Sequence, residues 1–366
     1  MIINIIRFYC LFWVAGAACF YTENMMRTDS YRSFKVLVAL LFGAILSVAS
    51  PIVMADDELV VYSARKEHLV KPLFDAYGEK TGVSIKYITD KAAPLLARLQ
   101  AEGKNSPADV LITVDAGNLW QAASKGVLAS VESDVLKKNI PVHLRDADNR
   151  WFGLSVRART VVYAPERVRD GELTTYEGLA EPIWKGRLCL RTSKKVYNQS
   201  LVATMIARHG EAKTEEIIKG WVANLATAPF SNDTKVMQAI AAGQCDVGIV
   251  NTYYYGRLMK KAPDTGLALF WPNQNDHGVH INISGAGVTR YAENRSEATK
   301  LVEWLSGEEA QKIFAGLNME YPVNPGVSPD GIVLAWGDFR QDQLNVAKAG
   351  ELQAASVMLM DRAGYK

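Results

Sequence analysis

Apolar positions in this chain fall into short blocks with two alternating spacings. Leu59-Val60-Val61-Tyr62-Ser63 is a strand-type run, and after it Leu69, Leu73, Phe74 and Tyr77 recur at helical spacing between Lys66 and Thr81. Gly82 ends that helix. Val83 to Ile88 alternates as a strand, Pro94 to Glu102 reads as a helix, and Ala108-Asp109-Val110-Leu111-Ile112-Thr113 as a buried strand. Strands and helices in alternation predict an α/β lobe with a mainly parallel sheet.

The long β-rich segment Trp151 to Tyr163 reads as a crossover into a second lobe. That lobe takes the strand Gly186–Arg191, helices from Ser200 to His209 and from Lys213 to Leu225, and the strand Asp246–Asn251. His280-Ile281-Asn282-Ile283-Ser284 is the return strand, and helices from Ser296 to Leu305 and Glu308 to Leu317 complete the first lobe. Two crossovers between two α/β lobes describe a hinged clamshell that closes on a ligand. The expected division is 1–55 as leader and signal peptide, 56–157 plus 284–334 as lobe 1, and 158–283 plus 335–366 as lobe 2.

The first 55 residues carry a different pattern. Arg27, Arg32 and Lys35 precede the apolar run Val36 to Leu46, then Val53-Met54-Ala55 and the acidic Asp56-Asp57-Glu58, which is the layout of a secretory signal. The apolar run is shorter than the about 20 residues of a spanning helix, and no cysteine stands at the cleavage point to carry a lipid. The mature chain is expected to be exported and not membrane-spanning. The stretch Met1 to Phe20, interrupted by Arg7, reads either as a membrane anchor or as sequence upstream of a true start at Met25 or Met26.

Removing residues 1–55 takes away Arg7, Arg27, Arg32 and Lys35 against Glu23 and Asp29, so 41 basic and 39 acidic residues become 37 and 37. A neutral chain lacks the basic excess of a nucleic-acid binder. Cys10 and Cys19 leave with the leader, and Cys189 and Cys245 remain. An even pair in an exported protein favours a disulfide over two free thiols.

The chemistry concentrates in tyrosines. Asn251-Thr252-Tyr253-Tyr254-Tyr255-Gly256 follows a strand end, where open α/β sheets bind ligands, and Val196-Tyr197-Asn198-Gln199-Ser200 occupies an equivalent loop, with Asn198 as its candidate N-cap. A phenol ionises near pH ~10, so several gathered at one point suggest a guest that stabilises phenolate. Ferric iron is such a guest, a hard cation that prefers anionic oxygen. Tyr253 and Tyr254 reach one ion only if the chain turns there, as on entering a helix at Tyr255-Gly256; Tyr255 is expected to pack in the core. His277-Gly278-Val279-His280 lacks a third ligand at zinc spacing. His68, Asp109 and Asp115 form no hydrolytic arrangement, so an enzyme is not expected.

From about Leu59 to Lys366 the chain resembles the periplasmic ferric-iron-binding proteins of bacterial ABC importers. The resemblance rests on Val61-Tyr62-Ser63-Ala64-Arg65, Ser106-Pro107-Ala108-Asp109-Val110, Trp151-Phe152-Gly153, Arg157-Ala158-Arg159, Tyr197-Asn198-Gln199-Ser200-Leu201, Asn251-Thr252-Tyr253-Tyr254, Phe270-Trp271-Pro272-Asn273-Gln274, His280-Ile281-Asn282-Ile283-Ser284-Gly285 and Glu320-Tyr321-Pro322-Val323. It implies a type II periplasmic-binding-protein clamshell, a periplasmic monomer that hands iron to an inner-membrane ABC permease, and Fe(III) held by Tyr197, Tyr253 and Tyr254. Several relatives place His-Tyr directly after the Ser-Xaa-Arg segment; this chain has Lys66-Glu67. Relatives without that pair fill the open positions with carbonate or citrate. Arg65, Arg157 or Arg159 would then hold the anion, or the hinge, and Glu67 is a further candidate ligand. The rival reading is a clamshell for a small oxyanion or organic ligand, with the tyrosines as hydrogen-bond donors.

Overall fold

The computed structural model describes residues 58–366; the leader, signal-peptide and start-codon readings, and Cys10 and Cys19, lie outside the described residues. In chain order, β1 (Glu58–Ser63), α1 (Glu67–Thr81), β2 (Ser84–Thr89), α2 (Ala92–Glu102), β3 (Val110–Val114), α3 (Ala116–Ser124) and α4 (Asp134–Asn139) come first. Next are β4 (Phe152–Tyr163), β5 (Leu188–Cys189), α5 (Val196–Ala223), α6 (Asp233–Ala241), β6 (Val247–Asn251), α7 (Thr252–Lys261), β7 (Ala268–Phe270) and β8 (Ile281–Val288). The last group is α8 (Arg295–Ser306), α9 (Glu308–Asn318), β9 (Tyr321–Pro322), α10 (Gly331–Leu334), α11 (Lys348–Glu351) and α12 (Gln353–Arg362).

The strands run in the order β2-β1-β3-β8-β4-β6-β5, with β7 and β9 also paired to β4. β1 lies parallel to β2 and β3, and β5 parallel to β6. The crossing strands differ from the parallel expectation: β8 is antiparallel to both β3 and β4, and β4 is antiparallel to β6. A strand that returns from one half of the sheet to the other arrives from the opposite end. β4 carries the change of partner within itself, since Phe152 to Ala158 pair with β8 while Arg159 to Tyr163 pair with β6. The architecture is a two-lobed α/β fold.

Both faces of β4 and β8 are covered, so apart from the half-buried Tyr163 every residue of the two strands is buried, including the polar Arg157, Arg159 and Asn282. Trp151, Trp184 and Trp221 are among the largest fully buried side chains, and burying a large apolar side chain contributes about 1.5–3 kcal/mol. Cys189 and Cys245 are joined, with Cα atoms 5.9 Å apart, tying the end of β5 to the residues just before β6.

The two helices expected between Ser200 and Leu225 are both present within α5 (Val196–Ala223), separated where Gly210 takes the non-helical angles φ 78° and ψ 165°. That left-handed angle suits glycine, so the break is written into the sequence although the ladder resumes beyond it. β5 keeps only two residues of the run Gly186–Arg191, and β8 extends four residues past Ser284. Asn198 is not the N-cap of its helix, because α5 starts at Val196 with Lys195 at the cap position.

Candidate functional site: a tyrosine cluster ringed by cations

β6 ends at Asn251 and α7 begins at once with Thr252, so Tyr253 and Tyr254 are both helical. The turn therefore comes before the tyrosines rather than at Tyr255-Gly256. Their rings lie 4.4 Å apart, tilted by 33°. Tyr197, one residue into α5, meets them from the other side, and the Tyr253 hydroxyl donates to the Tyr197 oxygen over 3.3 Å. Asn251 Nδ2 lies 3.4 Å from the Tyr253 oxygen. Tyr197 and Tyr253 are buried and Tyr254 is half-buried. Tyr255 points into the core of α6 and β4 and donates to the Leu267 carbonyl.

Cations surround the cluster. The Tyr197 ring centroid is 5.1 Å from the Lys195 ammonium, 5.5 Å from the Arg191 guanidinium and 5.6 Å from that of Arg157. Arg257 lies 5.2 Å from the Tyr253 centroid and 5.9 Å from that of Tyr254. Burial raises the Tyr197 phenol above its ordinary value, with Arg157 opposing; burial and the neighbouring Tyr197 and Tyr254 raise Tyr253 further. Burial and Arg191 lower Lys195. Tyr197 and Tyr253 are thus held in the neutral phenol form.

The three arginines singled out from sequence separate clearly. Arg65 is buried in a fork to Glu320 Oε2, both N–H···O distances 3.0 Å, and also donates to Ser284 Oγ. Arg159 is bound to Asn198 Oδ1, Asp233 and Asn251. Arg157 keeps the most unused capacity: it donates to Ser284 Oγ over 3.0 Å while its Nε and Nη2 are buried without a partner among the described residues, whereas Arg65 leaves only its Nε so. A buried N–H without a partner is costly, so Arg157 is the arginine with the most hydrogen bonds to offer a ligand. Glu67 is exposed and accepts from the Tyr87 hydroxyl over 2.9 Å.

Asp115 closes the site from the β3–α3 junction. Its φ of 76° is unusual for a residue other than glycine. Fully buried, its carboxylate accepts from Gly117 N at 2.9 Å, Asn282 Nδ2 at 2.9 Å and Ser200 Oγ at 2.7 Å. Burial raises its pKa against the pull of Arg157. His280 is buried beside Thr204 and burial pushes it down to about 3, whereas His277 pairs with Asp276. No cluster of three or more metal-ligating His, Cys, Asp or Glu side chains occurs among the described residues.

Sequence reasoning did not place Lys195, Arg191 or Arg257 at the site, and weighed Asp115 only for a hydrolytic arrangement. Arg257 carried a local signal, because it follows Tyr253 by four residues and Tyr254 by three, the spacing of one helix face. Lys195 stands at the cap of α5 two residues before Tyr197, while Arg191 and Asp115 reach the cluster through tertiary packing.

Residues 105–333 match the family model described as bacterial extracellular solute-binding protein. The chain is 41% identical over 315 residues to iron uptake protein A1 of Synechocystis sp., covering 84% of this chain and 88% of that protein. Among solved structures, that of Trichodesmium IdiA (FutA) in complex with iron and citrate is 42% identical, with a TM-score of 0.82, over 84% of this chain and all of that one. The Mannheimia haemolytica ferric iron-binding protein A in an open conformation is 37% identical, with a TM-score of 0.79, over 84% of this chain and 99% of that one.

Proposed function

The chain belongs to the periplasmic ferric-iron-binding branch of the bacterial extracellular solute-binding proteins, and we propose that it carries Fe(III) on the phenolates of Tyr197, Tyr253 and Tyr254. The observation that carries this reading is the 3.3 Å approach of the Tyr197 and Tyr253 oxygens. Two oxygens each about 2.0–2.1 Å from one small hard cation in octahedral geometry stand about 2.9 Å apart, so a small adjustment suffices for both to ligate. Three phenolates neutralise the three charges of the ion.

The protein then has positive charge left over. Asp233 carries one negative charge for Arg159 and Arg191 together, and among the described residues no carboxylate stands within ion-pair distance of Arg157 or Lys195. A synergistic anion, citrate or carbonate, fills the remaining coordination positions and takes the free N–H groups of Arg157. Citrate has the added support that the Trichodesmium relative was solved with iron and citrate. Arg65 and Arg159 serve as internal framework, and Glu67 stays a candidate only where no anion is bound. The lobes divide near Arg157 in β4 and near Ser284 in β8, and the loaded monomer delivers its iron to an ABC permease.

The surrounding cations also suit the rival, an oxyanion carrier with tyrosines as donors. Colour separates the two, because ferric phenolate absorbs visible light. Adding Fe(III) with citrate or bicarbonate to the iron-free protein is expected to produce a visible band that Arg157→Met weakens. A colourless protein that binds the anion equally well without iron would overturn the proposal.

A further inference from the structure

A chain of buried polar groups runs behind the tyrosine cluster and joins its two sides. Arg157, under Tyr197, donates to Ser284 Oγ, which also accepts from Arg65. Arg65 forks onto Glu320 Oε2, and Glu320 Oε1 accepts from Asn318 Nδ2 over 2.9 Å. Asn318 Oδ1 in turn accepts from Arg257 Nη2, and the Arg257 guanidinium lies against Tyr253 and Tyr254. Apart from the half-buried Arg257, every member of the chain is at most 4% exposed.

Arg257 is the only member of that chain on the tyrosine-bearing helix α7, and its hydrogen-bond partner lies at the end of α9. Gly256 makes the same approach from the backbone: a Cβ there would come within 2.6 Å of Met319 Sδ and 2.9 Å of the Trp336 ring. α7 is therefore seated against the residues that follow α9, with Arg257 as its polar anchor. A guanidinium stays charged at all working pH and holds an aromatic face by cation–π attraction. Here it faces two rings at once, and its hydrogen bond goes to a neutral amide rather than to a carboxylate.

We propose that Arg257 is a positioning residue that fixes the ring orientations of Tyr253 and Tyr254 and, through Asn318 and Glu320, couples them to the framework that holds Arg157 beside Tyr197. The inference rests on the tyrosine-ligation reading. Groups that hold metal ligands in place are commonly worth about 10–100-fold in metal affinity, and members of one network lose less together than the sum of their separate losses.

The test uses the parent, Arg257→Met, Arg257→Lys, Asn318→Ala and the double variant Arg257→Met/Asn318→Ala. Iron affinity is measured by chelator competition and the visible band recorded for each, with thermal melts to identify folded variants. Arg257→Met is expected to lose about 10–100-fold in affinity and to shift the band; Asn318→Ala should lose less, and the double variant no more than Arg257→Met. Arg257→Lys, which keeps the cation without the fork, should restore part of the affinity and the band position. Parent-like affinity and band in Arg257→Met, or losses that simply add in the double variant, would overturn the proposal. If Arg257→Met does not fold, the band of Arg257→Lys decides: a parent band with parent affinity overturns it, and a shifted band supports it. A parent that binds no iron at all would sink the tyrosine reading instead.

Discussion

Ser200 donates to the buried carboxylate of Asp115 over 2.7 Å, and that bond holds the first turn of α5 against the β3–α3 junction. Ser200 lies three residues beyond Tyr197, so whatever fixes one fixes the other. Removing the hydroxyl leaves Asp115 with two donors instead of three. Ser200→Ala is expected to cost about 1–3 kcal/mol, read as a lower denaturant midpoint, and to weaken iron binding without abolishing the visible band.

Ligation itself predicts a steep contrast among four tyrosines. Tyr197→Phe, Tyr253→Phe and Tyr254→Phe should each reduce iron affinity by orders of magnitude and shift or remove the visible band. Tyr255→Phe loses only the hydrogen bond to Leu267, a change of about 1 kcal/mol in stability, and should leave the spectrum alone. An essential Tyr255 would overturn the assignment.

Arg65 should behave as a structural residue. Its pairing with Glu320 is buried on both sides, at 2% and 3% side-chain exposure. Burial alone would raise Glu320, but Arg65 and then Arg157 hold its carboxyl below the usual range. Arg65→Ala strands that charge, and breaking a buried pair from one side costs about 3–5 kcal/mol. Thermal unfolding measures the loss. A stable Arg65→Ala with a selective defect in anion response would return Arg65 to the ligand-binding groups.

The pH dependence has two opposite arms. Burial holds Tyr197 and Tyr253 above the ordinary phenol value, so above about pH 10 the unfolded chain gives up protons that the iron-free fold retains. Stability of the iron-free protein then falls as pH rises. On the proposed ligation those protons leave when iron binds, so iron affinity is expected to rise with pH and weaken in acid. Melting temperatures with and without iron from neutral to alkaline pH should diverge. Parallel curves would contradict the ligand set.

Cleaving the Cys189–Cys245 bond opens a loop spanning a sequence separation of 56. The cross-link should be worth about 2–4 kcal/mol. Alkylation and mass spectrometry of protein kept from reductant should find no labelled thiol, and the Cys189→Ser/Cys245→Ser variant should unfold at lower denaturant.

Much of the fold was legible because periodicity survives wherever one face of an element is buried. The helices ending at Thr81 and Glu102 and the strand ending at Asn251 stand within two residues of their expected bounds. β5 was overextended because Arg191 follows an apolar run yet leaves the ladder to reach Asp233 and Tyr197. Asn198 looked like a cap because caps and buried amides draw on the same residue types; its side chain instead serves Arg159 and the carbonyls of Arg191 and Thr192. The division of labour among Arg65, Arg157 and Arg159 was illegible. Their carboxylate partners, Glu320 for Arg65 and Asp233 for Arg159, lie far along the chain and become neighbours only after folding.

The disulfide also bears on when the protein acquires its working form. β5 has only two residues in register with β6, and Arg191, two positions past Cys189, stands on Tyr197. Thiols stay reduced in the cytoplasm and oxidise after export. Until that oxidation the two-residue pairing of β5 with β6 stands without its cross-link. The cross-link beside Arg191 and Tyr197 is thus a feature of the exported protein and not of its precursor.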